Sequence, residues 1–198
     1  MKVLVACEYS GRVRDAFIAR GHDAISCDLL PSDSPGNHYQ GDVRDVIDGG
    51  WDLMIAHPPC TYLSVSGIHW TTRGFRDPQL TEDALMFVDF LLNAPIEKIA
   101  LENPVSVISS RIRKPDQIIN PWQFGDNASK KTCLWLKGLA PLIATEIVEP
   151  RIINGKKRWA NQCDSGQNKL GPSDDRWKLR SYTYQGIANA MADQWGGV

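Results

Sequence analysis

A chain of 198 residues can bury one substantial core, or a core with a small appendage, and is too short for two full domains. Its 42% hydrophobic and 23% charged residues exclude disordered and collagen-like classes. No apolar run reaches the ~18 residues of a membrane span, and the start MKVLVACEYS lacks a signal-peptide pattern, so no membrane partner and a cytoplasmic location are expected. The net charge of −1 divides unevenly: residues 1–104 hold 8 Lys/Arg against 15 Asp/Glu, residues 105–180 hold 14 against 7, and residues 181–198 add −1.

The basic second segment suits a polyanion, because cations set along phosphates gain affinity by releasing counterions. Two solvated faces that neutralise one another are the other reading of the same asymmetry. The five cysteines, Cys7, Cys27, Cys60, Cys133 and Cys163, are odd in number and widely spaced, with no CxxC pair. Neither a disulfide framework nor a metal site is expected from them.

Along the chain, residues 2–6 form a strand-length apolar run, followed by a turn at Ser10-Gly11 and a helix over residues 12–20 with Val13, Ala16 and Phe17 on one face. Gly21 ends that helix, and residues 24–27 read as a second strand finishing at Asp28. The turn-rich stretch 29–41 reads as a loop. Residues 51–56 form another buried strand, stopped by His57-Pro58-Pro59. A helix over 79–93 carries Ala84, Phe87, Val88 and Leu91 at helical spacing, and residues 98–101 make a strand running into Glu102-Asn103-Pro104. Between residues 105 and 180 only 133–136 read clearly as a strand. Residues 185–195 close the chain as a helix with Ile187, Met191 and Trp195 on one side. Strands alternating with helices predict an α/β fold with a parallel sheet.

Ligands of open parallel sheets bind beyond the carboxyl ends of the strands, which here carry Glu8-Tyr9-Ser10-Gly11, Asp28, Cys60 and Glu102. An acid at the end of a second strand is placed to hold ribose hydroxyls, and it can equally cap a turn. With no GxGxxG, a nucleoside cofactor without a pyrophosphate fits better than a dinucleotide. Two prolines stiffen the approach to Cys60, as suits a held nucleophile, although an isolated cysteine is more often a small core residue. Glu102 could serve as an acid beside it, or cap a helix, or pair with Arg111 or Arg113. His57 and Cys60, separated by two prolines, do not form a metal pair.

Pro58-Pro59-Cys60 with Leu63-Ser64 and Gly67 resembles the PPCxxxS catalytic loop of the DNA (cytosine-5)-methyltransferases, and Leu101-Glu102-Asn103 resembles their second catalytic motif. Gly41-Asp42-Val43 is similar to the family's adenine-contacting loop, residues 130–135 to its basic strand, and Gly186-Ile187-Ala188 to its closing glycine motif; residues 180–188 look like the small phage-type members. Departures are a first glycine motif reduced to Cys7-Glu8-Tyr9-Ser10-Gly11, Pro104 in place of the usual valine, lysines in place of a Gln-x-Arg-x-Arg run, and a recognition segment of at most ~75 residues.

The resemblance implies a Rossmann-like methyltransferase fold with a mostly parallel central sheet. It divides the chain into a catalytic and cofactor-binding core at 1–104, a basic recognition segment with part of the sheet at 105–180, and a helix at 181–198 returning to the core. It further implies methyl transfer from S-adenosylmethionine to carbon 5 of cytosine in DNA. Cys60 would add to carbon 6, and Glu102, with a raised pKa, would assist at ring nitrogen 3. Glu8, Tyr9, Ser10, Gly11, Asp28, Asp42 and Pro58 would lie at the cofactor, and Ser64, Lys130, Lys131, Arg176 and Arg180 at DNA. A non-catalytic phage relative that binds cofactor or DNA stays open, as does the same chemistry on RNA, on a nucleotide, or with a modified sulfonium.

Overall fold

Short runs of Val, Ile, Leu and Ala, buried on both faces, organise the protein, whose computed structural model describes residues 1–197. Strand β1 (Lys2–Ala6) lies between β2 (Asp23–Asp28) and the strand over residues 53–56, parallel to both. The polar strand β3 (His38–Gln40) pairs with β2 at the sheet edge. On the other side, β4 (Leu53–Ala56) pairs in parallel with β5 (Lys98–Pro104). Two antiparallel strands, β6 (Gln117–Ile119) and β7 (Thr132–Lys137), complete the order β3-β2-β1-β4-β5-β7-β6. A mostly parallel α/β sheet of Rossmann-like type is therefore the fold, as the alternation of strands and helices predicts.

Successive strand side chains point to opposite faces, so β1 supplies both halves of the core. Val3 and Val5 pack with Val13 and Phe17 of α1 (Arg12–Ile18) and with Ile187, Met191 and Trp195 of the C-terminal helix over residues 185–195. Leu4 and Ala6 pack with Leu85, Val88 and Leu91 of the helix over residues 79–92 and with Trp135 of β7. The C-terminal helix begins where the Gly186 amide donates to Asp126 Oδ2 at 2.9 Å; a Cβ on Gly186 would collide with the Phe124 carbonyl oxygen, so only glycine fits.

Three expectations change. Residues 29–41 are not wholly a loop: 38–40 form β3, whose polar residues suit an edge strand with one open side and leave no apolar alternation to read. The buried face of the 79–92 helix is Thr81, Leu85, Val88 and Leu91, while Ala84 and Phe87 are half-buried, because the Phe87 ring lies parallel to that of Phe90 at 6.4 Å beneath the Arg44 guanidinium. Residues 105–180, scarcely legible in advance, hold several short elements. In chain order the helices are α1, α2 (Val65–Thr72), α3 (Gln79–Leu92), α4 (Ile108–Arg111), α5 (Arg176–Ser181) and α6 (Gln185–Trp195), and a separate hairpin joins β8 (Arg151–Ile153) to β9 (Lys156–Arg158).

Arg14 breaks the apolar pattern of α1 and is fully buried. Its guanidinium donates to Ser26 Oγ at 3.1 Å, Ser34 Oγ at 2.7 Å, the Pro35 carbonyl at 2.8 Å and Asp15 Oδ1 at 2.8 Å. One charge thus replaces the missing secondary structure of the segment after β2. Removing a buried charge's partners, or the charge itself, is costly, so Arg14→Leu is expected to lose about 3 kcal/mol in urea denaturation; a loss under ~1 kcal/mol would contradict this role.

Candidate active site

In the β4–β5 register Ala56 stands opposite Leu101, so the next residues, His57 and Glu102, come side by side at the carboxyl edge of the sheet. His57 Nδ1 lies 2.9 Å from Glu102 Oε2, and both side chains are nearly buried. Burial by itself would lower the His57 pKa, but the Glu102 hydrogen bond and charge, with Glu8 behind, hold it above its ordinary value. For Glu102 burial acts to raise the pKa, and the His57 hydrogen bond together with the Lys130 and His57 charges outweighs it, so the carboxyl is held low. The expectation of a raised Glu102 pKa is corrected accordingly: the His57 hydrogen bond and the Lys130 and His57 charges outweigh burial. Neither arginine considered as a partner reaches it, since Arg111 pairs with Glu82 and Arg113 with Asp116.

Cys60 sits on a turn fastened from several sides. Asn103, fully enclosed at the end of β5, donates from Nδ2 to the Pro58 carbonyl at 2.8 Å. The amides of Leu63 and Ser64 donate to the Cys60 carbonyl at 3.1 and 2.9 Å, and Arg76 donates to the Thr61 carbonyl at 3.1 Å while its guanidinium lies 5.4 Å from the centre of the Tyr62 ring. The residue is exposed, yet desolvation of the sulfur pushes its pKa up; Lys130 counters this strongly, Glu102 adds to it and Arg180 opposes it. Thiol, carboxylate and two cations therefore share one electrostatic neighbourhood. Lys130 is itself aimed by a 3.0 Å hydrogen bond from Nζ to the Arg180 carbonyl.

The other cysteines differ in kind. Burial and nearby carboxylates push the Cys7 thiol up strongly and Cys27 up to about 12, and burial raises Cys133 as well. Cys163 is lowered by Ser165 and the backbone of its own turn.

Beyond β1 and β2 a second group of polar residues gathers. Cys7 takes φ 58°, a left-handed conformation that is uncommon outside glycine, and the charges of Asp28 and Asp42 both bear on it. Asp28 Oδ1 accepts from the Leu30 amide at 2.9 Å, and burial raises its pKa. Asp42 accepts from the Arg44 amide and pairs with the Arg44 side chain. Glu8 is buried and engaged: its carboxylate accepts from Ser10 Oγ and from the Val13 and Arg14 amides, capping α1 in place of Gly11, which adopts φ 73°. Tyr9 is buried beneath α5, its hydroxyl 2.6 Å from Ser181 Oγ and its ring 6.0 Å from Trp177.

Among the residues expected at DNA, Lys130 and Arg180 lie close enough to Cys60 to influence its thiol. Ser64 caps α2 by accepting from the Gly67 amide at 3.2 Å. Lys131 is exposed and acts on Cys133, and Arg176 lies on α5 with its Nε enclosed and unpartnered. Sequence reasoning assigned no part in this site to two of its residues. His57 was weighed only as a metal ligand, although its place directly after β4 is the signal that singled out Cys60 and Glu102. Asn103, quoted only within the second motif, lies near the end of β5 beside Glu102. Among the described residues no group of His, Cys, Asp and Glu is arranged to hold a metal ion, and no helix is long and apolar enough to cross a membrane.

No protein-family model and no curated protein matches the chain. Solved structures similar to it include Entamoeba histolytica methyltransferase EhMeth, with 13% identity over 75% of this chain and 58% of that one and a TM-score of 0.51. A DNA modification methyltransferase encoded within an E. coli prophage has 14% identity over 77% and 53% of the two chains and a TM-score of 0.48. A variant of Spodoptera frugiperda DNMT2 has 14% identity over 79% and 57% and a TM-score of 0.44. The chain spans little more than half the length of each. The likeness to the Entamoeba protein establishes a shared fold, the Rossmann-like sheet.

The His57–Glu102 pair sets a pH signature. The raised His57 pKa contributes stability that is complete below its ordinary value of 6.5 and is lost as pH rises through the folded value. The lowered Glu102 pKa contributes stability that is complete above its ordinary 4.5 and is lost as pH falls through the folded value. His57→Ala is therefore expected to cost about 3 kcal/mol between those limits, with the deficit shrinking on either side, in urea denaturation across pH; a deficit independent of pH would refute the pair.

Proposed function

We propose that this protein is a DNA (cytosine-5)-methyltransferase that moves a methyl group from S-adenosylmethionine to carbon 5 of cytosine through a transient bond from Cys60 to carbon 6. The observation that carries this reading is the His57–Glu102 pair at the ends of adjacent parallel strands, with the turn of Cys60 tied to β5 through Asn103 and the Lys130 charge bearing on both the thiol and the carboxylate. Cytosine carbon 5 is a poor nucleophile, and adding a thiolate at carbon 6 turns the ring into an enamine that can attack. Lys130 favours the thiolate whose proton has gone to solvent. Glu102, held ionised, accepts a hydrogen bond from the exocyclic amine, and the proton needed at ring nitrogen 3 comes from the His57–Glu102 pair. After methylation a base takes the proton from carbon 5, the carbon–sulfur bond breaks, and the pair recovers its proton from nitrogen 3.

S-adenosylmethionine supplies an electrophilic methyl on a sulfonium. The residues after β1 and β2 fit such a group: the Asp28 carboxylate, oriented by the Leu30 amide, is a ribose acceptor, and the acidic surroundings of Cys7 suit a cation. Tyr9, Ser10 and Gly11 would line the approach, with Glu8 shaping it through α1, Asp42 through its turn, and Pro58 beside the reacting thiol. Lys130, Lys131, Arg176 and Arg180 would face phosphates and, with Ser64, help to hold a base drawn out of the stack at a cost of a few kcal/mol.

Incubation with duplex DNA containing 5-fluorocytosine and the cofactor tests this directly. The native protein is expected to form a covalent adduct, and Cys60→Ser to form none and to lose at least ~1000-fold in transfer while still binding cofactor. No adduct and no 5-methylcytosine by nucleoside mass spectrometry would overturn the reading, and methylated RNA nucleosides would redirect it. Because the Cys60 pKa is raised, transfer should accelerate as pH rises above neutrality. Lys130→Gln removes the cation that lowers that pKa and should shift the rise to higher pH; an unshifted profile would exclude this role.

A further inference from the structure

The β8–β9 hairpin stands apart from the main sheet as a two-stranded unit in the register Ile152 opposite Lys157 and Ile153 opposite Lys156. Asn154 and Gly155 join the strands at φ 50° and 71°, the pair of left-handed residues that a type I′ turn requires. A lone ribbon is marginal in water, so its anchoring matters. Arg151 donates to the Gln162 carbonyl at 3.1 Å and Arg158 to the Asp164 carbonyl at 3.0 Å, which fastens the face they share to the following loop. Trp159, directly after β9, stacks on Trp122 at 5.4 Å, and Asn161 exchanges two hydrogen bonds with the Ser129 backbone at 2.9 and 3.0 Å. Ser129 precedes Lys130, so the ribbon is rooted at the same edge of the sheet as Cys60.

The opposite face, with Ile152 and Lys157, is left free by that anchoring, while Lys156, on the anchored face, stands next to the turn. Ile152 is 61% exposed, Lys156 and Lys157 are exposed, and neither lysine forms an ion pair among the described residues. Residues 151–158 carry four cations and no acid. A two-stranded ribbon matches the roughly 12 Å major groove of B-form DNA, whereas the A-form major groove of RNA is too narrow and deep for it. We propose that the β8–β9 ribbon enters the major groove of duplex DNA beside the target cytosine, with Lys156 and Lys157 on phosphates and Ile152 and Asn154 against base edges. This rests on the reading of the protein as an enzyme acting on cytosine in DNA.

Fluorescence anisotropy of the full chain with a labelled cytosine-containing DNA duplex, and with an RNA duplex of the same sequence, tests it without cofactor. Substituting both lysines, Lys156→Gln with Lys157→Gln, should weaken DNA binding and reduce the slope of log affinity against log salt by about 2. Ile152→Ala with Asn154→Gly keeps a turn residue that tolerates positive φ and should weaken DNA binding several-fold without changing that slope, since no phosphate contact is lost. Unchanged DNA affinity in either double variant, with unfolding midpoints as in the native chain, would overturn the proposal, and so would equal affinity of the native chain for the RNA duplex. Failure here is separable from failure of the reaction. Normal trapping on 5-fluorocytosine with unaffected ribbon variants removes the ribbon alone; no trapping with weakened ribbon variants removes the chemistry and leaves the duplex-binding surface standing.

Discussion

Parallel pairing of β4 with β5 places His57 and Glu102 in adjacent positions just where both strands leave the core, and the rest of the site is arranged around that meeting. Either group alone would be an uncompensated buried charge; together they are a hydrogen-bonded pair that the sheet can enclose. The charge of Lys130, two residues before the antiparallel strand β7, bears on this pair. Asn103, the next residue of β5, then ties down the Pro58 carbonyl and with it the turn that presents Cys60. A shift of one residue in the β4–β5 register would separate all of these groups at once, since neighbouring positions of a strand face opposite sides.

What could be read in the sequence follows from where the physical signal is local. Val3 to Ala6, Leu53 to Ala56 and Ile99 to Leu101 are apolar runs of strand length, and their ends mark Cys60 and Glu102. The helix that closes the chain was equally plain, with Ile187, Met191 and Trp195 buried together. The charge state of Glu102 was not legible, because it is decided by a residue 45 positions earlier, and a sequence pattern gives no measure of that proximity. Nor was most of residues 105–180, where short elements are fixed by particular long-range bonds such as Asn161 to Ser129 and Trp159 against Trp122 rather than by periodicity.

The division of charge along the chain acquires a spatial meaning. Acids of the first half surround the ends of β1 and β2, where a positively charged sulfonium would be welcome, and cations of the second half reach the thiol and the free face of the hairpin. Opposite potentials thus lie on neighbouring parts of one edge, and Lys130 stands near the boundary, lowering the pKa of Cys60 and Glu102 alike. On the proposed reading, such a layout would separate cofactor and nucleic acid by sign before shape discriminates between them.

Arg14 has one more consequence. The segment from Leu29 to Asn37 has no regular structure, yet its Ser34 and Pro35 are bound by a guanidinium that belongs to the core beneath α1. Peeling that segment away would leave the buried guanidinium with Asp15 and Ser26 but without its Ser34 and Pro35 acceptors, so the segment is expected to fray less readily than an ordinary surface loop. Its opening is expected to be coupled to that of the helix and the sheet, and its engaged amides to exchange more slowly than those of a free loop.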